Sequence, residues 1–264
     1  MTEFPKACQF NPVIIFPSNV PILNIHHLRM SNNNNYKKTG RALERRMNKY
    51  HTMRMQDIID GTAEPVTTSL SERGSILYFK SFYNHVKANS LLAKLKDQLH
   101  PMALLPSHVT SSGCTVQQPR MSIWFGPHPY SYSRYTLQNH SFQECLALSN
   151  MRDDMEFVFG GPLNSCLVNI YRNGMDSVAW HADDEELFGP DPTIVSVSLG
   201  ATRTFELCTN TLPHTRRFAQ YSYELVHGAV LVMKGDIQKN WVHRVPRQHS
   251  VNEERWNFTF RSVI

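Results

Sequence analysis

Arg255-Trp256-Asn257-Phe258-Thr259-Phe260-Arg261 alternates polar and aromatic side chains without a break. A two-residue period is that of a β-strand, which puts Arg255, Asn257, Thr259 and Arg261 on one face and Trp256, Phe258 and Phe260 on the other. Two guanidiniums and an amide on one face of an otherwise apolar strand are costly to bury unless an anion meets them. A dicarboxylic acid is the natural anion, because each planar fork can take one carboxylate through two parallel hydrogen bonds.

Upstream, Trp180-His181-Ala182-Asp183-Asp184-Glu185 supplies a His and a carboxylate two residues apart. On an extended strand they point to the same face and reach a common point. A second His from a distant strand would complete two imidazoles and one carboxylate, the facial triad that holds iron(II) in non-haem oxygenases. His243, within the apolar run Trp241-Val242-His243-Arg244-Val245, is the candidate. Taken alone, His-x-Asp more often marks a surface pair at a strand end.

The order Asn169-Ile170-Tyr171, His181-x-Asp183, His243 and Arg255-x-Asn257-x-Thr259-x-Arg261 resembles the AlkB family of iron- and 2-oxoglutarate-dependent dioxygenases. The resemblance spans roughly residues 75 to 264. Asn169-Ile170-Tyr171-Arg172-Asn173, Asp176-Ser177-Val178, Ser198-Leu199-Gly200-Ala201-Thr202-Arg203-Thr204-Phe205-Glu206 and His243-Arg244-Val245-Pro246 are closest to its third animal branch. It implies a double-stranded β-helix (jelly roll) core with N-terminal nucleotide-recognition hairpins, mainly β with flanking helices. It further implies Fe(II) on His181, Asp183 and His243, with 2-oxoglutarate held by Tyr130, Tyr132, Leu167, Asn169, Tyr171, Arg255, Asn257 and Arg261. Arg255 takes the distal carboxylate, and Arg261 with Asn169 lies near the carboxylate at the metal. Phe125, Tyr132, Asp184 and Glu185 would contact the substrate. The chain departs from the branch at Ala179, where an acidic residue is usual.

The implied reaction consumes O2 and 2-oxoglutarate. It removes N-methyl groups from 1-methyladenine and 3-methylcytosine in DNA or RNA, with release of formaldehyde, succinate and CO2. These lesions are cationic, so an acidic cluster favours them over the parent bases. The alternatives are a nucleic-acid-binding protein with a vestigial dioxygenase core, and an oxygenase of the same chemistry acting on another class of substrate.

Composition bounds the rest. A chain of 264 residues, 41% hydrophobic and 11% aromatic, holds ample material for one domain with a core. Five scattered cysteines without a CxxC pair suggest neither a disulfide framework nor a zinc site, and so a reducing compartment. No apolar run has the length of a membrane span, and the first 30 residues lack a signal peptide's pattern. Residues 1 to 54 carry nine Lys and Arg against Glu3 and Glu44, whereas the remainder is slightly acidic. Residues 1–73 are therefore expected to be a basic, largely disordered tail, and 74–264 the dioxygenase domain. Such a tail suits phosphate backbones, a nuclear address or a protein partner. Nucleus and cytoplasm are the expected locations, and the tail's poverty in acids is also compatible with mitochondria. Nothing in the sequence demands an oligomer.

Local patterns predict a strand at Ile76–Phe79 and a helix from Asn84 to Leu99 with Val86, Leu91, Leu92, Leu95 and Leu99 inward. Further strands are expected at 119–126 and 166–171, and a second helix over Phe142–Met151 with Leu146 and Leu148. Residues 193–199 and 202–207 read as a strand pair joined at Gly200, and short strands follow at 221–225, 228–233 and 238–243. Trp124 reads as core. Tyr130 and Tyr132, two apart, share a face on which a base could stack. The turn at Ser111-Ser112-Gly113-Cys114 offers no bulky wedge to open a duplex, so single strands are the expected substrate.

Overall fold

The computed structural model describes Ile58 and residues 65 to 264, apart from positions 110, 133 and 134. The basic tail of the sequence reading lies outside the described residues. In chain order the strands are β1 (Val66–Ser69), β2 (Ser75–Phe79), β3 (Ser107–Val109), β4 (Thr115–Gln117), β5 (Met121–Phe125), β6 (Tyr130–Tyr132), β7 (Tyr135–Leu137) and β8 (Asn139–His140). They continue as β9 (Ser165–Tyr171), β10 (Val178–His181), β11 (Ile194–Gly200), β12 (Arg203–Thr209), β13 (Tyr221–Leu225), β14 (Val230–Lys234), β15 (Trp241–Val245) and β16 (Arg255–Arg261). The helices are α1 (His85–Leu99), α2 (Leu146–Phe159) and α3 (Ile237–Asn240).

A major sheet runs β1-β2-β14-β11-β16-β9-β5-β8, and a minor sheet β10-β15-β12-β13. Hairpins β3-β4 and β6-β7 stand beside them. The two sheets form the jelly-roll sandwich: Tyr78, Ile194 and Leu231 of the major sheet share a core with Phe205, Leu207 and Val245 of the minor one. A second core lies on the other side of the major sheet, where Leu95, Leu99, Met151 and Met155 of the helices meet Val168, Trp256, Phe258 and Phe260. β16 thus has its aromatic face toward the helices and its polar face toward the minor sheet. Trp256, Phe258 and Phe260 have no exposed surface. Removing any one of these rings costs about 3–5 kcal/mol in a typical core.

The sheet already includes Val66, since β1 pairs with β2, so the expected domain boundary at residue 74 falls inside it. α1 begins at an Asn84 cap whose side chain accepts from the Lys87 amide. Its buried stripe is Ala88, Leu95 and Leu99, and Val86 is exposed, because it sits about 200° round from Ala88. The second helix also differs. Phe142–Glu144 is a separate turn closed by a Ser141–Glu144 capping box, Cys145 is extended, and α2 then runs to Phe159. Leu148, Met151, Met155 and Val158 form its buried stripe, while Leu146 is exposed. The expected 238–243 strand opens as the helical turn α3 and becomes strand only at Trp241.

The largest correction concerns β11 and β12, which do not pair. β11 lies between β14 and β16, and β12 between β13 and β15. At Gly200 the chain leaves one sheet for the other. Its φ is +89°, and a Cβ there would meet the Glu254 carbonyl oxygen at 2.3 Å, so only glycine fits. The crossing keeps the sheets close enough to enclose a cavity between β16 and β15.

Near one end of that cavity, Asp176 accepts from the Arg172 amide, Nε and Nη2 at 2.8–2.9 Å. Burial pushes its carboxyl up, but the hydrogen bonds from Arg172 and the charges of Arg172 and Arg203 outweigh it and hold it below the usual range. Such a carboxylate contributes stability above its unfolded pKa of about 3.9 and loses it as pH falls through the lowered folded value. Asp176→Asn is expected to lower the unfolding free energy by about 1–3 kcal/mol at pH 7. In urea titrations the gap to the parent protein should close toward pH 2; a constant gap would assign the loss to packing instead.

Candidate active site

His181, at the end of β10, is the direct cross-strand neighbour of His243 on β15. The β10-β15 register shifts between Val178 and His181, a bulge of the kind that re-aims a side chain at a sheet rim. The two rings lie 4.2 Å apart between centroids. Asp183 comes from the segment just past the strand, not from the strand itself, and its amide donates to Gln238 Oε1 at 2.9 Å. One ligand atom from each of His181, Asp183 and His243 falls within 4.8 Å of the others.

The protonation states suit a metal. His181 Nδ1 lies 2.9 Å from the Ala179 carbonyl oxygen. A carbonyl only accepts, so this nitrogen is the donor, and Nε2 is the ring atom turned toward the cluster, 3.6 Å from Asp183 Oδ1. Burial foremost, then His181, depresses the His243 pKa to about 3, leaving a neutral imidazole. Burial acts to raise Asp183, but Arg261 and the two imidazoles bring it down to about 2, so it is ionised. Arg261 Nη2 donates to Asp183 Oδ2 at 2.8 Å.

The polar face of β16 forms the floor of a cavity of about 660 Å³. Arg255 and Arg261 are 1% and 3% exposed, yet Nε and Nη1 of each have no hydrogen-bond partner. Arg255 Nη2 donates to Ser198 Oγ and Asn257 Oδ1, and burial lowers its pKa to about 10 with no carboxylate beside it. Arg203 provides the contrast. Equally buried, it donates to Gln248 Oε1 and to the carbonyls of Asn173, Asp176 and Pro246. Arg203 is a finished structural cation, whereas Arg255 and Arg261 hold four buried donors in reserve for an anion.

Of the residues expected at the site, Tyr130, Tyr132, Leu167, Asn169, Tyr171, Glu185 and Asn257 also line the cavity. Asn169 Oδ1 accepts from Arg120 Nε and Ser122 Oγ, leaving the amide nitrogen to donate. Asn169 stands opposite Asn257 in the register, away from Arg261, which pairs with Ser165. Tyr130 and Tyr132 stack at 4.8 Å, and Trp124 lies behind Tyr130 at 4.5 Å. Tyr130 donates to Glu185 Oε1 at 2.6 Å, and Glu185 Oε2 is buried without a partner.

Two expected residues are elsewhere. Phe125 faces the helices against Phe142, because the pairing of Trp124 with Leu167 puts Trp124 toward the cavity and the next residue away from it. Asp184 is exposed and faces outward beside Gly189 and Lys239, since the chain turns after Asp183. Arg120, Gln118 and Gln238 were missed by the sequence reading. Each sits in a run whose pattern marks a strand or turn but not its cavity-facing side.

A family model described as the 2OG-Fe(II) oxygenase superfamily matches residues 75–261. The chain belongs to this superfamily. Human alpha-ketoglutarate-dependent dioxygenase alkB homolog 3 is 42% identical over 155 residues, 56% of this chain and 53% of that protein. DNA oxidative demethylase ALKBH2 of Arabidopsis thaliana is 36% identical over 50% of this chain and 48% of its own. The human ALKBH2 is 26% identical over 77% of this chain and 79% of its own. The chain spans about half the length of the first of these relatives. The superfamily's cofactors are Fe(II), 2-oxoglutarate and O2, and the donor set fits them: two imidazoles and a carboxylate for the metal, and unpaired guanidinium donors for a dicarboxylate.

Because Arg255 is buried with donors unused, Arg255→Met is expected to leave the melting temperature of the ligand-free protein unchanged or higher, and to abolish the rise caused by 2-oxoglutarate. Arg203→Met strands the groups it now satisfies and should cost on the order of 3 kcal/mol without ligand. Differential scanning calorimetry of the two variants distinguishes a binding cation from a structural one.

Proposed function

We propose that this protein is an oxidative demethylase of N-alkylated bases, 1-methyladenine and 3-methylcytosine, in single-stranded DNA or RNA. One observation carries the reading: buried guanidiniums with unpaired donors, a His-Asp-His cluster and a stacked tyrosine pair line the same cavity. His181, Asp183 and His243 would hold Fe(II). Arg255 would take the distal carboxylate of 2-oxoglutarate, with Asn257 and the Asn169 amide beside it, and Arg261 would lie at the metal end through its contact with Asp183. The bound metal, 2-oxoglutarate and O2 supply oxidation of the N-methyl carbon, with succinate and CO2 as by-products and formaldehyde leaving from the hydroxylated carbon.

The chain's own residues would select and orient the base. Tyr132, held by Gln118 Oε1 at 2.8 Å, offers a ring against which a base can lie. Glu185 Oε2, a buried acceptor without a partner, suits the exocyclic amine and positive charge of a methylated adenine or cytosine. The β3-β4 turn supports a single-stranded substrate, because residues 111–114 are small or polar and exposed, with no wedge to replace a flipped base in a duplex. The names of the relatives, dioxygenase and DNA oxidative demethylase, support the same reading.

Single-turnover assays with Fe(II), 2-oxoglutarate and matched oligonucleotides test it. Methyl removal should be at least tenfold faster on single strands than on duplex and should vanish in His181→Ala. Succinate formation with every methylated strand untouched would point instead to a substrate outside the nucleic acids.

A further inference from the structure

Arg255 is placed by β11 as well as by its own strand. Gly200, the last residue of β11, is its direct cross-strand partner, and Ser198 Oγ accepts from its Nη2 at 3.0 Å. Both of these β11 residues are held in turn by the short connection between β13 and β14. The Ser198 amide donates to the Ala229 carbonyl and the Ser198 carbonyl accepts from the Gly228 amide, each at 2.9 Å. His227, in the same connection, takes the Gly200 amide on Nδ1 at 2.8 Å.

An amide only donates, so Nδ1 carries no proton and the ring is neutral, with its one N–H at Nε2. That nitrogen lies 3.1 Å from Asn89 Oδ1 on α1. The imidazole thus uses both nitrogens to tie the helix to the point where the chain passes between the sheets. His85 of α1 faces it, 5.5 Å away between ring centroids. The other charged groups nearby are committed: Glu254, whose carbonyl abuts Gly200, has its carboxylate on Lys96 and Trp256, and Arg255 donates to Ser198 and Asn257. Burial foremost, then His85, holds the His227 pKa below its ordinary value of about 6.5. A proton on Nδ1 would set donor against donor at Gly200.

We propose that His227 is a positioning residue for the dicarboxylic co-substrate: its neutral ring fixes Gly200, and with it Arg255, and protonation of the ring releases them. The hydrogen bond is complete above about pH 6.5 and is lost as pH falls through the lowered folded value. The inference rests on Arg255 meeting the distal carboxylate of 2-oxoglutarate, and it holds whatever substrate the enzyme oxidises.

The test measures the preference for 2-oxoglutarate over 2-oxobutyrate, which lacks the distal carboxylate, by calorimetric titration of the Fe(II)-loaded protein under nitrogen. Titrations run from about pH 7.5 to about pH 5, a range over which a distal carboxylate stays largely ionised. The two acids share the chelating end, so the ratio of their affinities cancels titration of the metal ligands. In the parent protein the preference should fall about fivefold toward the acid end, the scale of one neutral hydrogen bond. His227→Asn keeps an acceptor at the place of Nδ1 but cannot gain a proton, so its preference should match the parent's at neutral pH and stay there. His227→Gln carries its amide out toward Asn89 and leaves the Gly200 amide unmet, so its preference should be low throughout. A preference equal in the parent and His227→Gln at every pH overturns the proposal, as does a fall in His227→Asn as large as the parent's. A parallel loss of affinity for both acids in His227→Gln also overturns it, since the imidazole would then brace the fold without acting on Arg255. If the parent shows no preference at neutral pH, the assignment of Arg255 fails first and the role of His227 with it.

Discussion

Buried guanidiniums with unpaired donors are the constraint on which the rest of this structure depends. Arg255 and Arg261 lie on the floor of a closed sandwich, and each keeps two donors without a partner. A fold could remove this cost with apolar residues, as buried ion pairs can often be replaced without loss of stability. Keeping the cations makes sense where a small anion completes them. Arg203, of the same type and burial, shows that this chain can satisfy a guanidinium fully with its own carbonyls when no ligand is intended.

The architecture places those cations beside the metal-ligating cluster. β16 is central in the major sheet, its aromatic face sealed by the helices, so its polar face can only look toward the minor sheet. His181 and His243 are cross-strand partners in that minor sheet, and Asp183 bridges the two layers through Arg261. The crossing at Gly200 joins the layers, and Gln238 fixes the segment that carries Asp183. Geometry and charge therefore agree: one ionised carboxylate, two imidazoles and two cations converge on a single space.

Much of this was legible in the sequence because it rests on short-range alternation. The two faces of Arg255–Arg261, the tyrosines two apart, and the inward Asn169 and Tyr171 all follow from the strand period. What escaped depended on registers and crossings between distant segments. Phe125 and Trp124 differ by one residue, and only the pairing of β5 with β9 decides which of them faces the cavity. Asp184 follows a metal-ligating residue in sequence, yet the chain turns it outward. The apparent hairpin at Gly200 is a passage between sheets, which local sequence cannot distinguish from a turn. Arg120 gave no signal because its role depends on Asn169, far away in the chain.

The central claim is that Arg255 awaits the second carboxylate of a dicarboxylic keto acid. Its most direct test is calorimetric titration of the Fe(II)-loaded protein, under nitrogen, with 2-oxoglutarate and with 2-oxobutyrate, which keeps the chelating end but lacks the distal carboxylate. Binding of 2-oxoglutarate should be tighter by about 30-fold or more, since a buried charged hydrogen-bonding partner is worth roughly 2–5 kcal/mol. Equal affinities for the two acids would contradict the account.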